Sequence, residues 1–289
     1  MPRNPYRLDG PAQICFSGGR TSGYMLWHLL EANGGLPDDC HVTFQNTGKE
    51  REETLAFVQE CGERWNVPIR WLEWDGFVEG QPQRLCAFRE VTFETASRHG
   101  EPFERVIDAR RIVPNPMVRA CTINLKVRTG AAFMLAQGHV DFDAVMGIRA
   151  DEPQRVARML NPPKRDTRAG TYVLPLNSAR VRKADVLDWW NRQPFNLGLD
   201  AQGDLGNCDL CYLKSRRKIV RAIQAEPARA VWWIRQEQRT GHPFRNDRPP
   251  YADLLREAQF NARQIPLDFE AGPQDTEDDE ALVDCICGD

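Results

Sequence analysis

The stretch Ala12-Gln13-Ile14-Cys15-Phe16-Ser17-Gly18-Gly19-Arg20-Thr21-Ser22-Gly23 decides the fold. Residues 12–16 are a short apolar run of the length of a buried strand, and Ser17-Gly18-Gly19 breaks it. A helix then begins near Thr21: Tyr24, Met25, Leu26, Leu29 and Leu30 recur at helical spacing up to the stop Asn33-Gly34-Gly35. A strand that turns through two glycines into a helix has a chemical use. Glycines let the backbone approach a phosphate closely, and the N–H groups at the helix start, with its dipole, favour an anion. Ser17 and Ser22 add hydroxyls, and Arg20 adds a fixed positive charge. The plainer alternative is a tight strand–helix turn with no ligand. Two serines, an arginine and the position after the first strand weigh against it. The loop does not carry the G-x-x-x-x-G-K-[ST] pattern of ordinary P-loop ATPases.

Working outward, residues 41–45 read as a second strand and Glu50–Trp65 as an amphipathic helix with Leu55, Phe57, Val58 and Cys61 inward. Residues 69–74 alternate and read as a third strand. Strand–helix–strand–helix–strand signals an α/β fold with a parallel sheet and right-handed crossovers. Residues 75–120 hold several glycines and prolines, Val113-Pro114-Asn115-Pro116 among them, and read as an insertion over one end of the sheet. Residues 123–137 resume as a helix, and Ala144–Ile148 is a compact strand that runs into Arg149-Ala150-Asp151-Glu152. Residues 153–170, with Pro162-Pro163, read as a mobile loop. Beyond about 175, helical periodicity dominates in 183–192, 211–224, 228–239 and 251–262. The expected organisation is a nucleotide-binding α/β domain over 1–175 with the insertion at 75–120. A helical part over 176–265 carries a C-x-x-C, and an acidic tail over 266–289, of flexible composition, ends in C-x-C.

With 289 residues, 41% of them hydrophobic, the chain can bury a core without disulfides or metals as staples. A net charge of -3 excludes a whole-molecule polycation. Local basic faces remain: Lys214-Ser215-Arg216-Arg217-Lys218 with Arg221, and Arg105, Arg110 and Arg111, each readable as a phosphate grip or as a solvated face. No apolar run approaches the roughly 18 residues of a membrane span, and none follows Met1–Pro5 as in a secretory signal. A soluble, cytoplasmic protein with no membrane partner is expected. The nine cysteines do not suggest a disulfide framework. Cys15, Cys40, Cys61 and Cys86 read as small buried hydrophobes. Cys121 stands in a polar, basic context, and Cys208-Asp209-Leu210-Cys211 is a half-site for zinc, a cluster or a redox pair. Trp189-Trp190 and Trp232-Trp233 read as helix–helix core rather than base-stacking platforms.

Several segments agree in order with one known family. Ser17-Gly18-Gly19-x-x-Ser22 is followed by Asn46-Thr47-Gly48-Lys49-Glu50 and Glu53-Thr54, then by Arg119-Ala120-Cys121-Thr122-Ile123-Asn124-Leu125-Lys126-Val127-Arg128, then by Gly147-Ile148-Arg149-Ala150-Asp151-Glu152. Over roughly residues 12–220 the chain resembles the phosphoadenosine phosphosulfate reductase family of the adenine-nucleotide alpha-hydrolase superfamily, its phage-type members most closely. The resemblance implies a five-stranded parallel, Rossmann-like sheet with flanking helices and a nucleotide, ATP or an adenylyl sulfate, at its carboxyl edge. It implies nucleotide contacts from Ser17, Gly18, Gly19, Arg20, Thr21, Ser22, Asn46, Thr47, Gly48, Lys126 and Arg149. Arg20-Thr21 stands where many ATP pyrophosphatases have Lys-Asp, which leaves the handling of Mg²⁺ open.

Adenylyl-sulfate reductases hold a [4Fe–4S] cluster with a Cys-Cys pair and a later C-x-x-C. Ala120 replaces the first of those here, so the implied ligands are Cys121, Cys208 and Cys211. Cys285 or Cys287 completes the set, or one iron stays open as in relatives that thiolate tRNA. A zinc staple and plain reduced thiols are the alternatives. Sulfonucleotide reductases end in an arm bearing a nucleophilic Glu-Cys-Gly. Cys287-Gly288 resembles it and makes Cys287, with Cys285, the candidate catalytic thiols, although the neighbouring acids raise a thiol pKa unless the arm docks beside Arg or Lys. The resemblance implies ATP-dependent sulfur transfer to a nucleobase or nucleic acid, with a sulfur donor such as a cysteine desulfurase. The alternatives are a sulfonucleotide reductase using a thiol carrier such as thioredoxin, and a nucleotide-sensing or nucleic-acid-binding module without chemistry.

Overall fold

A computed structural model of the chain describes residues 4–82, 85–161, 170–199 and 208–263. Six strands form one sheet in the order β4-β3-β2-β1-β5-β6. The strands are β1 Ala12–Cys15, β2 Cys40–Gln45, β3 Ile69–Phe77, β4 Cys86–Val91, β5 Asp143–Met146 and β6 Thr171–Val173. All neighbours are parallel except β4, which runs antiparallel to β3 along the edge. The sheet is therefore α/β and mostly parallel, with one strand more than the five expected. The extra strand comes from the 75–120 segment, which is built rather than loose. Besides β4 it supplies α3 (Glu101–Arg110), whose Val106 and Ile107 are fully buried.

Helix α1 (Arg20–Asn33) follows β1 directly, and α2 (Glu52–Arg64) follows β2. Gly34 ends α1 in the left-handed conformation, its N–H closing on the Leu30 carbonyl, a geometry that glycine adopts without a Cβ penalty. The helix expected over 123–137 begins earlier, as a π-helical stretch, Cys121–Arg128, and continues as α4 (Thr129–Ala136). The expected mobile loop at 153–170 opens with a helix, α5 (Pro153–Leu160). Pro153 suits the first helical position, where its missing N–H costs nothing, and Val156 and Met159 pack on Met146, Ile148 and Leu174. Pro162-Pro163 and the tail 266–289 lie outside the described residues.

Two large cores flank the sheet. The first joins Ile14, Phe16, Val42 and Phe44 to α1 and α2, and it also takes in Leu176, Val186, Trp190, Leu197 and Leu199. Residues 176–199, with the short α6 (Pro175–Ser178) and α7 (Lys183–Trp190), thus pack with the sheet rather than with the helices after residue 208. Gly23 permits this: a Cβ there would lie 2.7 Å from the Trp190 ring, whose Nε1 donates to the Arg20 carbonyl at 2.7 Å. The second core joins Trp74, α3 and Leu125 to α8 (Arg216–Ala225), α9 (Ala230–Thr240) and α10 (Tyr251–Arg263). Helix α8 starts at Arg216 rather than at the expected 211, and Ser215 caps it by accepting from the Lys218 N–H.

A buried ion pair ties the second core to the sheet. Lys49 Nζ, just past β2, lies 3.0 Å from Asp209 Oδ2, with the side chains 8% and 1% exposed. Asp209 also accepts from Trp233 Nε1 at 3.0 Å, and its own N–H donates to the Lys49 carbonyl at 2.9 Å. Removing one member of such a pair strands a buried charge. Asp209→Ala is expected to cost about 3–5 kcal/mol in urea unfolding, whereas the apolar double substitution Lys49→Met/Asp209→Leu recovers most of the loss.

Candidate functional site

The order β3-β2-β1-β5-β6 places consecutive strands on opposite sides of β1, so the direction of winding reverses between β1 and β5. Open α/β sheets bind ligands in the crevice at the carboxyl ends of the strands at this point. A cleft lies there, lined by Cys15, Phe16, Ser17 and Ser22 on the β1–α1 side, by Gly147 after β5, and by Lys126 of the π-helical stretch.

The loop is built for the turn it makes. Gly18 has φ 77°, and a Cβ there would lie 2.7 Å from Thr54 Cγ2 and 2.9 Å from Val58 Cγ2. Ser17 and Ser22 meet at 3.0 Å between their hydroxyl oxygens, and Ser22 Oγ accepts from the Ser17 N–H at 3.2 Å. Gly19 is the N-cap of α1 and provides no side chain to bond the first N–H groups. Two hydroxyls, the start of a helix and Lys126 therefore border one cleft.

Other expected contacts are engaged elsewhere. Arg20 turns away: its Nε donates to Asn196 Oδ1 at 2.8 Å, and its Nη2 donates to the Leu197 and Leu199 carbonyls, both at 2.6 Å. It clamps the segment after α7. Thr21 Oγ1 accepts from Arg149 Nη1 at 2.9 Å, and Arg149 Nε lies 3.0 Å from Asp151 Oδ1. This joins the loop after β5 to the first turn of α1 and counters the arginine charge locally. Burial works against the Asp151 carboxylate, yet the Lys183 N–H and Arg149 hold it below its ordinary pKa.

Asn46, Thr47 and Gly48 sit at the carboxyl end of β2, but their polar groups face inward. Asn46 is fully buried and donates to Glu73 Oε1 at 2.6 Å and to the Ser97 carbonyl at 2.9 Å, while its Oδ1 accepts from the Gly48 N–H at 3.1 Å. Thr47 donates from both N–H and hydroxyl to the Glu50 carboxylate, at 2.9 and 2.8 Å. Burial pushes the Glu50 pKa up, and the Lys126 charge opposes the shift. Glu50 and Lys126 thereby couple this turn to the cleft. Glu73 escapes a sequence reading: it is a fully buried carboxylate in β3 that also accepts from the Ser97 N–H at 2.6 Å and pairs with Arg89. Its signal was an acid flanked directly by Leu72 and Trp74.

Cys121, Cys208 and Cys211 all border the second core. The Cys121 thiol lies 3.4 Å from the Tyr212 hydroxyl. The thiol contact with Cys211, and then burial, push the Cys208 pKa well up. Cys208 forms an antiparallel backbone bridge with Glu50, which brings the C-x-x-C to the edge of the β2 turn. Among the described residues, no three His, Cys, Asp or Glu side chains converge as a metal-holding group. Cys285 and Cys287 lie outside the described residues.

Two outcomes follow from the loop. Gly18→Ala forces a Cβ into Thr54 and Val58 at a strained φ, and is expected to cost about 1–3 kcal/mol in chemical denaturation. Burial pushes the Cys15 thiol up to about 12. At pH 8 its thiolate fraction is then on the order of 10⁻⁴, so iodoacetamide should label Cys15 about a thousandfold more slowly in the native than in the unfolded protein. Rapid labelling in the native protein would show an open thiol at the cleft.

No protein-family model matches the chain. It is 35% identical over 217 residues to the uncharacterized nin region protein ORF290 of Escherichia phage lambda, an alignment covering 74% of this chain and 69% of that protein. No helix among the described residues is long and apolar enough to cross a membrane. With its α/β sheet and the cleft at the β1–β5 switch point, the chain belongs to the family of this phage lambda nin region protein.

Proposed function

We propose that this protein is an adenine-nucleotide enzyme of the phosphoadenosine phosphosulfate reductase family, with a sheet of the adenine-nucleotide alpha-hydrolase type, and that it uses ATP to transfer sulfur to a nucleobase or nucleic acid. The observation that carries the reading is the cleft at the switch point, bordered by Ser17, Ser22 and Lys126 beside the uncapped start of α1. That set has the chemistry of a phosphate cradle: hydroxyl donors, backbone N–H groups and one ammonium on a loop that glycine bends.

In the proposed reaction the cradle holds the ATP phosphates while an acceptor carbonyl oxygen attacks the α-phosphorus. The bond from that oxygen to phosphorus forms, the bond to the β-phosphate breaks, and pyrophosphate leaves. Sulfide-level sulfur from a donor then adds to the activated carbon, AMP departs with the oxygen, and the sulfur proton passes to water. Lys126 balances charge on the phosphates. No step runs through a cluster. The Cys287-Gly288 sequence supports a second reading, in which a thiolate attacks the sulfur of bound adenylyl sulfate, the S–O bond breaks, AMP leaves and a thiosulfonate forms, from which the dithiol of a carrier such as thioredoxin releases sulfite as it becomes a disulfide.

The full chain, purified without oxygen, is expected to release pyrophosphate from ATP in the presence of an RNA or DNA acceptor and a sulfur donor. Sulfite from adenylyl sulfate with thioredoxin, and no pyrophosphate with any acceptor, would move the assignment to the reductase. Lys126→Ala removes one charge-assisted contact worth about 1.5–3 kcal/mol, so calorimetric titration with a non-hydrolysable ATP analogue should show about 10–100-fold weaker binding. Unchanged affinity would take Lys126 out of the site.

A further inference from the structure

The charge of this chain is divided very unevenly. Residues 264–289 hold nine of the 41 acidic side chains and none of the 38 lysines and arginines, so they carry -9 while residues 1–263 carry +6. The -3 of the whole chain hides a basic body and an acidic tail. Much of the tail charge is packed together at Asp275, Glu277, Asp278, Asp279 and Glu280.

The body presents a matching surface. Helix α8 buries Ile219, Val220, Ala222 and Ile223 in the second core and turns the opposite side outward. That side carries Arg217 and Arg221, both exposed, with Lys218 between them, at helical positions i, i+1 and i+4. Arg216, beside them, pairs with Glu257 of α10 at 2.8 Å. The same ion pair sets Glu257 beside the start of α8, and Arg263, where α10 ends, lies six residues or about 9 Å of helix further on.

Reach and charge therefore agree. Helix α8 has 10 residues and is about 15 Å long. The eleven residues between Arg263 and Asp275 extend to about 36 Å, more than enough to return along it. We infer that the acidic tail docks on the Arg217–Lys218–Arg221 face of α8 and holds it as a tethered polyanion. The tether supplies a high effective concentration, so individually weak surface pairs suffice. Any external polyanion, a nucleic acid included, must then displace the tail to reach this face.

Carbodiimide cross-linking of the full chain tests the contact directly, because it joins carboxylates to amines and the chain has only six lysines: Lys49, Lys126, Lys164, Lys183, Lys214 and Lys218. Peptide mapping should find the 275–280 carboxylates joined to Lys218 within one chain, with Lys214 as the second acceptor. The product should be lost near 1 M NaCl, where the screening length falls to about 3 Å. Arg217→Glu/Arg221→Glu keeps the Lys218 amine but reverses the face, and should abolish the cross-link while the near-ultraviolet circular dichroism of the folded protein is unchanged. Cross-links spread over all six lysines, a salt-independent yield, or products joining isotopically distinct chains would each overturn the inference. So would a single-stranded oligonucleotide that shields Lys218 from acetylation equally well in the native chain and in a variant with the tail acids amidated. That result would make the face an open nucleic-acid surface.

Discussion

The carboxylate of Asp209 holds this molecule together in the literal sense that it joins two cores. It accepts from Lys49 on the sheet side and from Trp233 on the helical side, and it is 1% exposed. A charge so placed is tolerable only with its partners in position, because desolvation of either ion costs several kcal/mol. The pair therefore acts as a register pin. It sets Trp232 and Trp233 against α3, lays the Lys49 ammonium 5.0 Å from the Trp232 ring, and brings the C-x-x-C segment against Glu50. Hydrophobic burial alone would allow the helices after residue 208 to settle on the sheet in several ways. A buried ion pair with fixed hydrogen-bond directions permits one.

The same need to satisfy buried polar groups explains why several residues near the cleft turn away from it. Arg20, Asn46 and Arg149 have the chemistry of phosphate ligands, yet each spends its donors on carbonyls or carboxylates of the chain. A residue deep at the carboxyl edge of a sheet must pair with something when folded, and a protein partner is always present. The polar groups bordering the cleft include Ser17 and Ser22 of the turn and Lys126 of the π-helical stretch. Position in a motif identifies which residues lie near a site. Only hydrogen-bond geometry separates those that shape it from those that line it.

How much could be read from the sequence follows the same division between local and non-local causes. The first three strands, with α1 and α2 between them, rest on periodicity within each segment, and Leu55, Phe57, Val58 and Cys61 fall on the buried face as their spacing required. Strand β4 was illegible because it is an edge strand whose Arg89 and Glu90 pair with residues on β3, across the sheet rather than along the chain. Strand β6 is three residues long, too short to show a period. Helix α5 was hidden by the prolines that follow it. The glycine turn after β1 and the place of Lys126 were legible; the capture of Arg20 by residues 196–199 was not, since nothing near Arg20 in the sequence announces a partner 176 residues away.

The π-helical stretch is the point where the two cores and the cleft meet. Cys121 at its start borders the second core, and Lys126 near its end lines the cleft. A π-turn closes on the fifth residue instead of the fourth, which is the poorer geometry and survives where other contacts hold it. Asn124 provides them: its Nδ2 donates to the Ala120 carbonyl, its Oδ1 accepts from Arg110 and Arg128, and its own carbonyl accepts from the Thr129 hydroxyl. One fully buried asparagine thus keeps the widened turn open from both ends. Relaxing it to a regular α-helix would rotate Lys126 relative to Cys121. The ammonium would then shift relative to the cleft it lines, while the thiol stayed beside Tyr212. The widened turn is what allows one short helix to serve both sides at once.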